Sequence, residues 1–141
     1  MKYLKKYESL DSSKRERNLR FLGDMSFELG DDGFNVEVIS YDDFGLGDII
    51  VRINKKSKPS PLGMYALKSP RFNYNDIKDT LLSMISYMES ELYSIGSIEV
   101  SDKYVHNTIP VELKEEELYL KYKPEVKVNY PIGQLVIKFK E

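Results

Sequence analysis

The sequence predicts an α+β fold, a two-layer sandwich with two helices packed on one mainly antiparallel sheet. Two patterns carry that prediction. Ile77, Leu81, Met84, Ile85, Met88 and Leu92 recur at the spacing of one helical face, and Leu19, Leu22, Met25 and Leu29 form a second such stripe. The other apolar residues alternate with polar ones over short stretches, the period of strands with one face buried. Elements with one apolar face each must cover one another, and helices over a sheet is the arrangement that does so. The chain has 141 residues, 41% of them apolar, which suits one core and not two.

The elements follow in order. Residues 1–12 are polar and lysine-rich, with Tyr3, Leu4, Tyr7 and Leu10 as sparse anchors, and read as an arm or short helix that orders against a partner. Ser13-Lys14-Arg15-Glu16 matches a capping box and opens a helix over 13–29, with Gly30 as its stop. Residues 13–141 are thus one domain. Phe34, Val36 and Val38 face inward on a first strand, and Ile49, Val51 and Ile53 on a second, joined through Asp42-Asp43-Phe44-Gly45-Leu46-Gly47 as a hairpin. Residues 54–70, with four prolines or glycines, form an irregular loop that is long for a compact domain, and 64–67 can add a short strand inside it. Asn73 or Asn75 caps a helix over 75–94, and Gly96 ends it. Strands then follow near 98–101, 109–113, 118–123, 126–130 and 134–140. Pro110 marks 109–113 as an edge strand, because proline cannot donate to a ladder.

Composition narrows the chemistry. The chain has no cysteine, which excludes disulfides, thiolate zinc sites, iron–sulfur clusters and a thiol nucleophile. Its one histidine, His106, excludes a multi-histidine metal site, and the single His106-Asn107-Thr108 falls short of the paired His-x-Thr motifs that 2H-type phosphoesterases need. Gly45-Leu46-Gly47 does not extend to a dinucleotide loop, since the third glycine position is Ile50 and a strand follows. Asp31, Asp32, Glu37, Asp42, Asp43 and Asp48 surround the first hairpin without the spacing of an EF-hand loop; a carboxylate-based, metal-dependent enzyme is the reading they leave open. No cofactor is expected. Lys55, Lys56 and Lys58, with the interleaved Lys121-Tyr122-Lys123, Lys127 and Tyr130, keep nucleic-acid binding as an alternative, although the net charge of −2 lacks the general basic footprint. No apolar run approaches the roughly 20 residues of a membrane-spanning helix, and no membrane role is expected.

Residues 22–36, Leu22-Gly23-Asp24-Met25-Ser26-Phe27-Glu28-Leu29-Gly30-Asp31-Asp32-Gly33-Phe34-Asn35-Val36, followed by a strand like 49–53 and a helix beginning Asp76-Ile77-Lys78-Asp79-Thr80-Leu81-Leu82, are similar to an arrangement in small uncharacterised tailed-bacteriophage proteins. The resemblance covers residues 19–92 and implies a virion component or a small host-directed protein, in the virion or the host cytoplasm. It brings no activity with it. Together with the lack of a catalytic constellation, it leads to the expectation of a non-enzymatic protein acting by protein–protein contact or self-assembly. The expected interface residues are Tyr3, Leu4 and Tyr7 of the arm, Lys55, Lys56 and Lys58 of the loop, and Ile109, Val111 and Leu113 of the edge strand.

Overall fold

The computed structural model describes residues 2–40, 48–56, 70–101 and 108–141, with side chains from residue 15 onward. Its elements are α1 (Lys2–Asp31), β1 (Phe34–Ser40), β2 (Ile49–Lys55), a 3-10 turn (Tyr74–Asp76), α2 (Lys78–Ser90), β3 (Ser94–Ser101), β4 (Thr108–Lys114), β5 (Glu117–Leu120) and β6 (Gln134–Lys140). The six strands form one antiparallel sheet in the order β1-β2-β6-β3-β4-β5. Both helices pack on it, as the α+β prediction requires.

Register explains the alternation read from the sequence. Val38, Val51, Ile137, Ile98, Val111 and Leu120 are successive cross-strand neighbours, one apolar row through all six strands. Glu37, Arg52, Val136, Glu99 and Pro110 form the adjacent row, on the opposite face because successive side chains alternate. The apolar face joins Leu22 and Leu29 of α1 and Leu81, Met84, Ile85 and Met88 of α2 in a single core. The two helices also hold each other. Phe21 stacks on Tyr87 with ring centroids 3.6 Å apart, the Tyr87 hydroxyl donates to Oδ1 of the fully buried Asn18 (3.0 Å), and Arg17 grips both Glu91 oxygens.

Four expectations are corrected. Helix α1 runs without interruption from Lys2 to Asp31, so the Ser13 capping box is not a start. Helix α2 spans Lys78–Ser90 and not 75–94; Asn73 and Asp76 form their capping box one step earlier, on the 3-10 turn. It ends in a Schellman motif: Leu92 N–H donates to Glu89 O (3.1 Å), Tyr93 N–H donates to Met88 O (2.9 Å), and Leu92 takes the left-handed position at φ 68°. That reversal turns Leu92 out of the apolar stripe to 81% exposure and buries Tyr93 in its stead. Gly96 is therefore not a helix stop. It is the extra residue of a bulge where β3 pairs with β6, and a Cβ there would press on the Lys140 side chain.

The fourth correction concerns the expected edge strand. β4 lies between β3 and β5, an interior position. Its proline is tolerated because the Pro110 carbonyl accepts from Lys121 N–H (3.1 Å), just past the end of β5. The Pro110 nitrogen faces that same side, away from β3, so the missing donor falls where β5 has already stopped. Short pairing by residues 126–128 covers the far side of β5: Leu120 N–H donates to Val126 O (2.9 Å) and Val128 N–H to Leu118 O (2.8 Å). The proposed strand at 64–67, the 42–47 turn, most of the 54–70 loop and His106 lie outside the described residues.

Candidate functional site

Two features of the described surface stand out. The first is the free side of β1. Gly33 O accepts from Lys56 N–H (2.8 Å), which sets Gly33, Asn35, Glu37 and Ile39 as the residues whose backbone groups face β2. The N–H and C=O groups of Val36, Val38 and Ser40 then point outward, and no described strand lies beyond them. Val36 and Val38 are half-buried, so their inner faces touch the core while their flanks stay open. Among the described residues β1 has no proline, no lysine and no bulge, and its one charged side chain, Glu37, is paired with Arg52.

The second is a polar pocket at the opposite side of the sheet. The turn residues 73–76, Glu117 at the start of β5 and residues 127–129 enclose a cavity of about 290 Å³. Glu117 is its electrostatic centre. Its Oε1 accepts from Lys78 Nζ at 2.9 Å and lies 3.7 Å from Lys127 Nζ. The Lys78 hydrogen bond, aided by Lys127, holds the Glu117 carboxyl below the ordinary carboxylate range, and the same bond raises Lys78 above the usual lysine value. Tyr74 is 3% exposed and donates its hydroxyl to Glu116 O (2.9 Å). Burial first, then the nearby Glu117 charge, pushes that phenol up to about 12, so it stays a neutral donor. Asp76 Oδ2 accepts from Asn73 N–H (3.1 Å), fixing the turn.

The β4–β5 connection that delivers Glu117 is a two-residue turn, Glu115 and Glu116, with φ of 50° and 68°. Positive φ at both positions is the type I′ hairpin geometry, normally occupied by Asn-Gly. Here two glutamates take it, and the Tyr74 bond secures the second carbonyl.

The expected interface residues disperse. Val111 is 4% exposed within the core, Leu113 is half-buried and Ile109 is 38% exposed, all on the interior strand β4. Lys55 and Lys56 are exposed at the end of β2, where Lys56 Nζ donates to Gly30 O (3.3 Å) and so ties the strand to the end of α1. Lys58 and the side chains of Tyr3, Leu4 and Tyr7 lie outside the described residues. Of the acidic residues around the first hairpin, Glu37 pairs with Arg52 (3.1 Å) and Asp48 with Lys138 (3.4 Å), and Asp42 and Asp43 are not described. Among the described residues no group of three or more acidic or histidine side chains is placed to hold a metal ion, and no helix is long and apolar enough to cross a membrane.

The pocket has no signature in the sequence. Glu115-Glu116 lacks the Asn-Gly or Asp-Gly chemistry that marks a two-residue hairpin, so the turn that delivers Glu117 has no local signal in the sequence. Asn73 and Asn75 were legible only as helix caps. No family model, curated protein or solved structure matches the chain.

Proposed function

We propose that this chain works by protein–protein contact without catalysis, as a structural or assembly component of a virion, and that β1 makes the contact. The observation that carries the proposal is the run of outward backbone donors and acceptors at Val36, Val38 and Ser40 on a seven-residue strand. An extended segment added there continues the sheet by main-chain hydrogen bonds and covers the half-open flanks of Val36 and Val38. The resemblance of residues 19–92 to small tailed-bacteriophage proteins supports the assembly setting. β1, and not 109–113, is then the pairing edge, by the same mode of contact.

The test uses the direction of a single N–H. Val38→Pro removes an outward donor and leaves the β1–β2 ladder intact, because Val38 gives no hydrogen bond to β2. Light scattering over a concentration series reads self-association, and a pull-down with the tagged chain reads a foreign partner. Association is expected in one of the two assays and is expected to disappear in Val38→Pro but persist in Val38→Ala, which trims the same side chain and keeps the donor. Association that survives Val38→Pro, or none in either assay, overturns the proposal.

A further inference from the structure

We infer that the partner seated on β1 is a second copy of this chain, paired antiparallel across a two-fold axis through Val36, with α1 of each copy packed against α1 of the other. The inference rests on the reading of β1 as the contact edge and adds the occupant and its register. A strand paired antiparallel with itself meets its own surface, so one edge serves both copies. Phe34 points its backbone groups the same way as Val36 and Val38, because directions alternate along the strand. An axis through Val36 sets Phe34 opposite the partner's Val38 and Val36 opposite the partner's Val36, and each such pair exchanges both hydrogen bonds. Charge excludes the neighbouring register. An axis through Glu37 would place two carboxylates directly opposite, in the closer, non-hydrogen-bonded kind of pair. With the axis at Val36, Glu37 faces the partner's Asn35.

The helical layer points to the same occupant. Such an axis stands perpendicular to the sheet, so both copies keep their helices on one side and the outer flanks of α1 meet. On α1, Arg17 and Phe21 face α2, and Leu22 and Leu29 enter the core. At about 3.6 residues per turn, Leu19, Gly23, Ser26 and Gly30 make up the flank turned away from α2. α1 contacts β1 and α2 contacts β3, with β2 and β6 between those strands, so this flank looks out over the β1 edge. It carries no charge, and the Ser26 hydroxyl is turned back onto Leu22 O (2.6 Å). Glycine inside a helix lowers its stability, yet a Cβ at Gly23 would meet no described atom within 4 Å, so no contact within the chain calls for it. One turn further along, Phe27 is 73% exposed. Counted back from Asp32-Gly33, Val36 stands roughly 10 Å along β1, and the midpoint of Gly23 and Phe27 roughly 9 Å along α1. Val38 stands at roughly 16 Å, beside neither residue. An axis through Val36 therefore lays each Phe27 ring on the partner's Gly23, where the missing side chain leaves room. A second copy uses both the exposed ring and the mid-helix glycine, which the single chain leaves unused.

Sedimentation equilibrium of the full chain is expected to show a monomer–dimer equilibrium, and disulfide trapping reads its register. The chain has no cysteine, so every disulfide formed is an engineered one. Asn35 and the partner's Glu37 are expected to stand with Cα atoms about 4.5 Å apart, within the span of a disulfide. Under mild oxidation an equimolar mixture of Asn35→Cys and Glu37→Cys chains is expected to give the mixed disulfide, and neither variant alone a dimer. Asn129→Cys, exposed near the other edge of the sheet, reports random collision. Gly23→Leu and Phe27→Ala are each expected to weaken the dimer at least tenfold, with circular dichroism spectra like the parent's. A chain that stays monomeric at all concentrations overturns the inference. So does a disulfide in Glu37→Cys alone without the mixed one, or a dimer as tight in both α1 variants as in the parent. A monomeric chain that captures a foreign protein through the Val38 donor overturns only the second copy and leaves β1 as the contact edge. A dimer that survives Val38→Pro overturns both.

Discussion

Replacing Glu115 by Asn and Glu116 by Gly in one variant is expected to stabilise the fold, although it removes no steric clash between side chains. Both glutamates sit at positive φ, 50° and 68°, where an L side chain with a Cβ costs roughly 1–2 kcal/mol. Glycine relieves that cost at 116 but loses about 0.5–1 kcal/mol through the greater freedom of its unfolded state. Asparagine relieves part of it at 115, because its short polar side chain tolerates the left-handed region. The net expectation is a gain of about 1–1.5 kcal/mol, or about 3–6 °C in Tm for a chain of this size. The Tyr74 bond is retained, since it ends on the Glu116 main-chain oxygen. Urea unfolding followed by circular dichroism measures the gain, with the slope m unchanged if only the native backbone has been relaxed. The pair Glu115→Ala and Glu116→Ala is the control: it removes the same two charges and leaves the strained φ in place. A gain as large in the alanine pair would show that charge repulsion and not backbone strain was relieved. No gain in the Asn-Gly variant would refute the turn assignment.

Two further outcomes follow from the core and from the ion triad. Ile85→Asp places a carboxyl where Ile85 is 5% exposed, and is expected to cost about 3–5 kcal/mol in urea unfolding, from lost apolar transfer plus an unpartnered buried acid; a variant as stable as the parent would contradict the packing of α2 on the sheet. Glu117 has its folded carboxyl held low by Lys78, so its contribution is present at neutral pH, above its unfolded value, and is lost as pH falls through the carboxylate range. The stability difference between the parent chain and Glu117→Gln is therefore expected to shrink on acidification, and a difference constant from neutrality to strong acid would show that Glu117 is not held by its lysines.

The layers of the fold were legible because each rests on periodicity. The α2 stripe, the alternating strands and the apolar row through them all arise from one face meeting the core, and a period can be read without knowing the partner element. The errors fall where geometry at a single residue overrides local propensity. Leu92 continues the apolar period, yet a Schellman reversal at that residue throws it into solvent, where glycine is the usual occupant. Pro110 reads as an edge because a proline lacks a donor, but which side the donor would have faced depends on where β5 stops. The pocket was illegible for a related reason. Asn75, Glu117 and Asn129 are each ordinary turn or surface residues, and only the register between β5 and residues 126–128 brings them to one cavity.

The place of β6 in the sheet has a kinetic meaning. It stands between β2 and β3, and without it the strands divide into a β1–β2 hairpin and a β3–β4–β5 meander that share no ladder. Each of those pieces closes through nearby residues and can form early, but neither presents a finished surface: β2 and β3 each keep one side unpaired until β6 enters. The closing strand must bridge partners distant in sequence on one side at least, which costs chain entropy before any pairing repays it. The ladders of β6 with β2 and β3 are thus the pairings that raise the contact order of the fold most. Any chain that lacked β6 in place would leave the inner sides of both β2 and β3 unpaired, the condition under which strands are exchanged between copies.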